Sequence, residues 1–86
     1  MAILAKMIID GMDATAYDGV WSYLSKLLQK EPGFMMHVAY SGSAGFYVEE
    51  VWQSRAHFER WFTEQIKPNV PEVQQEVIEL HQMIQP

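Results

Sequence analysis

Cysteine is absent from this chain of 86 residues, which excludes a disulfide framework, a thiol nucleophile and a zinc–thiolate site. Basic residues are scarce, since six lysines and arginines stand against eleven acidic residues and the net charge is −5. They are spread singly along the chain, which argues against nucleic acid as the main partner. No apolar run approaches the roughly 20 residues that a membrane-spanning helix requires.

The first residues, MAILAKMIID, are apolar but do not have the pattern of a signal peptide. They lack a basic segment ahead of the apolar run and a small-residue cleavage site after it. We therefore expect a cytoplasmic protein with no membrane partner.

Apolar residues are plentiful, at 49% of the chain with 13% aromatic. This composition predicts a single globular domain over residues 1–86. A domain of this length hides only about 60–65% of its surface when it folds alone. Burial of part of this apolar surface against a second subunit would explain why so small a domain has so high a fraction of apolar residues.

The first half of the chain reads as a strand and then a helix. Residues 2–9, AILAKMII, form a short Ile-rich run that Asp10-Gly11 ends. Asp13 is a predicted N-cap, and Pro32-Gly33 ends the helix that follows it. The apolar stripe of this helix is Tyr17, Val20, Trp21, Leu24, Leu27 and Leu28.

The segment FMMHVAYSGSAGFYVEEVW, residues 34–52, predicts two strands joined at SGSAG. Pairing them symmetrically about Ser43 places Phe34 opposite Trp52 and His37 opposite Glu49. A slip of one residue would exchange the two faces of one strand. The face expected to lie under the helices carries Phe34, Val38, Phe46, Val48 and Trp52.

A second helix and a last strand complete the chain. Ser54 is the predicted N-cap of the helix, and KPNVP at residues 67–71 ends it. The helix buries a stripe of Phe58, Trp61, Phe62 and Ile66. Alternating residues predict a last strand from Val73 to Ile84.

The order β-α-β-β-α-β predicts an α+β, ferredoxin-like fold, with both helices on one face of a four-stranded antiparallel sheet. The opposite face would be too apolar to leave in water, so it predicts a homodimer through that face. Its expected members are Leu4, Lys6, Ile8, Met35, His37, Ala39, Tyr47, Glu49, Val51, Val77, Glu79, His81 and Met83.

Three segments, GMDATAYDGV, GFMMHVA and VEEVWQSRAHFERWF, resemble the dimeric α+β barrel proteins, and within them the antibiotic biosynthesis monooxygenase-like group. The resemblance covers essentially the whole chain and implies a dimeric α+β barrel. It also implies a pocket for a flat aromatic substrate that is oxidised without a bound cofactor. It does not extend to the Asn–Trp–Tyr substrate set, because the only asparagine is Asn69. The haem-degrading branch is disfavoured, because Met7 supplies no amide and no histidine closely follows Trp61.

His37 and Glu49 are the predicted catalytic pair. A carboxylate beside an imidazole can orient it as a base towards an acidic phenolic or enolic substrate. The alternative is a polar cross-strand pair that serves only the dimer interface.

The ligand-binding residues are predicted to be Trp52, Phe58, Trp61, Phe62 and His81. The alternative is that the aromatic residues are simply the core. The three histidines show no metal-ligand spacing, so neither a metal nor a cofactor is expected. Two functions remain: a small dimeric protein that binds or oxidises a small aromatic or hydrophobic molecule, and a non-catalytic dimeric structural or ligand-binding module.

Overall fold

The computed structural model describes residues 1–70 and 72–86. Its strands and helices follow one another in the order that the sequence predicts. The antiparallel sheet has the order β2-β3-β1-β4, and the helices cover one of its faces. The ferredoxin-like β-α-β-β-α-β fold is confirmed. The elements are β1 (Ile3–Ile9), α1 (Ala14–Leu28), β2 (Phe34–Gly42), β3 (Gly45–Trp52), α2 (Arg55–Trp61) with a π-helical turn (Phe62–Ile66), and β4 (Val73–Glu79).

Both helices begin at the predicted caps. The carboxylate of Asp13 accepts a hydrogen bond from the backbone N–H of Ala16 at 2.8 Å. The hydroxyl of Ser54 accepts one from the backbone N–H of His57 at 3.3 Å. Each contact satisfies a donor that the first helical turn leaves free.

The core lies between the sheet and the helices. Trp52, Phe58 and Trp61 have no exposed surface, and Phe62 is half-buried at the start of the π-helical turn. Every second residue of β1 points into this core, as expected for a strand with one covered face. The buried cluster is Ile3, Ala5, Met7, Ile9, Leu24, Leu28, Phe46, Val48, Trp52, Phe58, Trp61, Ile66 and Val70.

The predicted register of the β2–β3 hairpin is wrong after its first pair. Phe34 does lie opposite Trp52, but a bulge at Met35 shifts the pairing by one residue from there to the turn. The turn spans Ser43 and Ala44 between the paired glycines Gly42 and Gly45, so it is shorter than the symmetric pairing about Ser43 assumed. Because side chains alternate across a strand, this shift exchanges the two faces of β2.

The exchange moves His37 under the helices and turns Val38 outwards. Val38 lies opposite Glu49 and is exposed, which corrects its expected place in the core. The outer sheet face, defined as the face away from the helices, is therefore more apolar than the sequence predicted. Its residues on β2 are Met36, Val38 and Tyr40.

The last strand also differs from the prediction. It ends at Glu79 and not at Ile84, because its neighbour β1 begins at Ile3, which pairs with Glu79. Ile78 lies opposite Leu4 on the outer face, and Val77 packs towards the core. The buried and outer faces of this strand are therefore the reverse of those predicted. Because both faces carry apolar residues, the alternation alone did not show which face is buried.

No helix in the described part of the chain combines the length and hydropathy needed to cross a bilayer.

Replacing Gly33 by alanine should destabilise the protein more than the same change at Gly11. Both glycines have φ in the left-handed region, at 85° and 75°, where a side chain costs about 1–2 kcal/mol. A Cβ at Gly33 would also overlap the ring of His57, whereas one at Gly11 would meet no atom of the described residues within 4 Å. Urea unfolding of Gly33→Ala and Gly11→Ala measures the difference, and equal losses of unfolding free energy would contradict this packing.

Candidate functional site

A buried histidine–carboxylate pair lies at the centre of the β2–β3 hairpin. The shifted register places His37 opposite Glu50, and His37 Nδ1 lies 2.7 Å from Glu50 Oε2. The side chain of Glu50 is 1% exposed and that of His37 is 11% exposed. A carboxylate buried this deeply is stable only with hydrogen-bond partners for its oxygens.

The second oxygen of Glu50 is bound by Trp52. The indole Nε1–H of Trp52 donates to Glu50 Oε1 at 3.0 Å, two residues further along β3. Both residues point to the helix face because strand side chains alternate with a period of two. Glu50 is therefore satisfied at both oxygens and fixed in orientation.

Helix α1 completes the arrangement from above the sheet. The hydroxyl of Tyr17, in the first turns of α1, lies 2.7 Å from His37 Nε2. One turn later, Trp21 stacks on the His37 ring with centroids 4.2 Å apart and planes at 13°. The Tyr17 ring also stacks on Phe46 of β3 at 4.7 Å. The imidazole is thus held at both nitrogens and on one face.

These contacts define the hydrogen pattern of the neutral imidazole. Nδ1 faces the carboxylate of Glu50 and carries the ring proton, which it donates. Nε2 then has a free lone pair and accepts from the hydroxyl of Tyr17. A histidine oriented by a carboxylate, with its other nitrogen turned to a hydroxyl, has the geometry of a general base.

Burial raises the pKa of Tyr17 to about 12, and the negative charges of Glu50 and Asp18 add to the shift. Its hydroxyl therefore stays protonated at neutral pH and remains a donor to His37.

The space at this site is small. A cavity of about 30 Å³ lies between α1, the π-helical turn and the sheet. That is about the volume of one water molecule, far below the roughly 300–1,000 Å³ of small-molecule sites. Its lining includes Met7, Tyr17, Trp21, His37, Glu50 and Ile66.

The structure does not bring His37 and Glu49 together, so the predicted pairing is wrong. Glu49 faces the outer sheet face, where it accepts a hydrogen bond from the hydroxyl of Tyr40. Its cross-strand neighbour on β1 is Lys6. The cause is the one-residue shift of the hairpin, which gives the role of carboxylate partner to Glu50.

The predicted ligand-binding residues are dispersed. Trp52 contacts the site through Glu50, whereas Phe58 and Trp61 are core residues that do not line the small cavity. Phe62 instead lines an open groove of about 450 Å³ between the π-helical turn and β4. His81 is exposed beyond the end of β4, which contradicts its expected position in the interior.

The sequence analysis did not identify three residues of this site as functional: Glu50, Tyr17 and Trp21. The sequence placed Tyr17 and Trp21 in the apolar stripe of the first helix but did not predict their contacts with His37. Glu50 could have been found by reading Gly42 to Gly45 as a two-residue hairpin turn, which places it opposite His37.

In the described residues, the structure has no cluster of three or more histidine, aspartate or glutamate side chains suited to a metal ion.

The four-stranded sheet with two helices on one face is a fold that other solved structures share. Among them are proteins described as a cofactor-independent oxygenase, a haem-degrading protein and antibiotic biosynthesis monooxygenases. The predicted resemblance is therefore confirmed at the level of the fold. No family model and no curated protein matches the sequence.

Three solved structures illustrate the likeness. The cofactor-independent oxygenase SnoaB from Streptomyces nogalater is 13% identical, with a TM-score of 0.66 over 96% of this chain and 95% of its own. A haem-degrading protein from Mycobacterium tuberculosis is 14% identical, with a TM-score of 0.74 over 100% and 98% of the two chains. A candidate antibiotic biosynthesis monooxygenase from Deinococcus radiodurans is 14% identical, with a TM-score of 0.67 over 100% and 98%.

In the closed arrangement of this structure, the residues at this site do not fit haem. Both ring nitrogens of His37 are engaged, by Glu50 and by Tyr17, so neither is free for iron. Trp21 covers one face of the imidazole, and the cavity beside it is only about 30 Å³.

Ionisation of Tyr17 should destabilise the fold at high pH. Its pKa is raised from 10.0 to about 12, so the stability it contributes is complete below pH 10 and is lost as pH rises towards 12. Unfolding free energies measured across this window should fall more steeply for the wild type than for Tyr17→Phe. Tyr40, whose pKa the hydrogen bond to Glu49 raises, contributes equally to both proteins. Parallel slopes would contradict the buried position of Tyr17.

Proposed function

We propose that this protein binds a small, flat aromatic molecule that carries an acidic hydroxyl, and oxidises it with O₂ without a bound cofactor. The observation that carries the proposal is the buried chain Tyr17–His37–Glu50–Trp52. A core of this size gains little stability from a buried carboxylate and its hydrogen-bonded histidine, so a chemical role explains this chain of contacts better than packing does. The likeness in fold to a cofactor-independent oxygenase supports the same reading.

In this proposal His37 is the base and Glu50 its orienting carboxylate. His37 Nε2 accepts a proton from the substrate, and Glu50 stabilises the imidazolium that forms. Trp52 holds Glu50 and is a positioning residue. The aromatic faces of Trp21 and Phe46 flank the place where a flat ring would lie.

The oxidation balances with O₂ as the only co-reactant. The enol hydroxyl of the substrate loses its proton to His37, and the ring carbon conjugated to the enolate forms a C–O bond with O₂ while the enolate oxygen becomes a ketone. The imidazolium returns its proton to the peroxide. Loss of water, which removes the remaining hydrogen of that ring carbon and breaks the O–O bond, leaves a second carbonyl group. Counted from the ketone form of the substrate, one CH₂ and one O₂ become one C=O and one H₂O.

The outer sheet face supports a homodimer as the working form. Met36, Val38 and Tyr40 on β2 are each more than two-fifths exposed, and Ile78 on β4 is 36% exposed. A contiguous apolar face of this kind is uncommon on a monomer and is typical of an interface. Lys6 lies between Glu49 and Glu76 on its neighbouring strands, so this face carries charges of opposite sign at adjacent positions.

Turnover of a hydroxyanthrone tests the chemistry. Oxygen uptake and quinone absorbance with 1,8-dihydroxyanthrone should exceed the rate in buffer. His37→Ala should lower the rate by about 100-fold or more, because general-base catalysis typically contributes factors of about 100 to 10,000.

Glu50→Gln and Glu49→Gln form a matched pair for the same assay. The two residues are neighbours on β3, but only Glu50 contacts His37. Glu50→Gln should lower the rate by about tenfold or more, whereas Glu49→Gln should leave it near that of the wild type. A loss with Glu49→Gln alone, or a wild-type rate equal to that in buffer, would contradict the proposal.

Val38→Glu should convert the dimer into monomers. An unpaired carboxylate in a buried interface weakens association by about 100-fold or more. Light scattering at micromolar concentration measures the mass, and Tyr23→Glu on the exposed side of α1 is the control. A monomeric wild type, or a dimeric Val38→Glu, would contradict association through this face.

A second candidate function is a non-catalytic dimeric module. The cavity of about 30 Å³ favours it, since this space is too small for a ligand unless side chains move. In that case the polar chain serves to specify the packing of α1 on the sheet. A dimeric wild type that binds no aromatic hydroxyl would support this candidate over the enzyme.

A further inference from the structure

The proposed site is closed in this conformation. His37 has no free nitrogen, and the adjoining cavity holds about 30 Å³. A ligand whose hydroxyl binds His37 must therefore displace one of the two groups that now occupy its nitrogens.

Of these two groups, Tyr17 is the one that can leave. Glu50 is 1% exposed, lies on the central strand β3 and is held a second time by Trp52. Tyr17 is only half-buried and lies in the first turns of α1. Among residues 1–70 and 72–86, its side chain makes one hydrogen bond, to His37. Rotation of Tyr17 breaks one hydrogen bond, whereas removal of Glu50 would strand a buried charge.

Tyr17 is itself an aromatic hydroxyl bound to the site. Its hydroxyl lies 2.7 Å from His37 Nε2, and its ring packs against Phe46 at 4.7 Å and Trp21 at 5.6 Å. The surroundings of the Tyr17 side chain therefore show which chemical group fits this position: a planar ring with a hydroxyl in the plane, directed at an imidazole nitrogen.

We propose that Tyr17 is a specificity-determining plug, which occupies the place of the ligand's hydroxyl on His37 and yields it only to a more acidic phenol or enol. The inference rests on the function proposed above and deepens it by naming how the ligand is selected. Selection follows because the hydrogen bond to Nε2 strengthens with the acidity of the donor. Tyr17, kept protonated by its raised pKa, is a weaker donor than such a ligand.

Binding of simple phenols to Tyr17→Phe tests the plug. Removing the hydroxyl leaves the ring but abolishes its competition for His37. A neutral hydrogen bond of about 0.5–1.5 kcal/mol corresponds to binding that is about 2- to 12-fold tighter in the variant. The probes are 4-cyanophenol, the less acidic 4-methylphenol, and 4-methylanisole, which has no hydroxyl. Quenching of tryptophan fluorescence reports occupancy next to Trp21.

Tyr23→Phe is the matched control, since Tyr23 lies on the same helix but is 62% exposed. It should bind all three probes as the wild type does. In the wild type and in both variants, 4-cyanophenol should bind more tightly than 4-methylphenol, and 4-methylanisole should bind most weakly. Thermal unfolding confirms that both variants fold.

The outcomes separate the two proposals. Wild-type binding that follows phenol acidity, together with unchanged or weaker binding by Tyr17→Phe, overturns the plug and leaves the proposed function standing. Absence of binding by both proteins overturns both. If Tyr17→Phe binds the phenols more tightly but neither protein consumes oxygen with the hydroxyanthrone, the plug is supported. The site is then a binding site without oxygenase activity.

Discussion

Glu50 sets the main constraint on this fold. Its carboxylate lies at the centre of the sheet on the covered face, where an ionised group needs a partner at each oxygen. His37 supplies one and Trp52 the other. His37 can do so only if β2 and β3 pair in the observed register, which requires the two-residue turn at Ser43–Ala44 and the bulge at Met35. The hairpin geometry and the polar chain therefore depend on each other.

The bulge has consequences on both sides of the sheet. On the covered face it brings His37 beneath Tyr17 and Trp21, and so creates the polar chain. On the outer face it replaces a mixed surface with a more apolar one that includes Val38 and Tyr40. Bulges commonly re-aim side chains beside functional sites. Here one extra residue places the His37–Glu50 pair on the covered face and exposed apolar side chains on the outer face.

The site is ordered by packing but has little free volume. Stacking by Trp21 and the hydrogen bond to Glu50 leave the imidazole a single orientation, which does not depend on Tyr17. The side chains of Trp21 and Tyr17 fill the space that a ligand would use. A small domain with few buried residues gains stability when such a site is closed. Ligand binding must then supply the free energy that is needed to open the site.

The sequence by itself determined the element order, both helix caps and the second-helix core. These follow from local periodicity and from the capping residues Asp13 and Ser54, which need no knowledge of distant contacts. Only the tertiary structure decided the partner of His37, because Glu49 and Glu50 are adjacent and a shift of one residue selects between them. It also decided the faces of β4, whose alternation is apolar on both sides until β1 fixes its register and its end. Pairing between strands, which the local pattern left open between two turn lengths, assembled the candidate site.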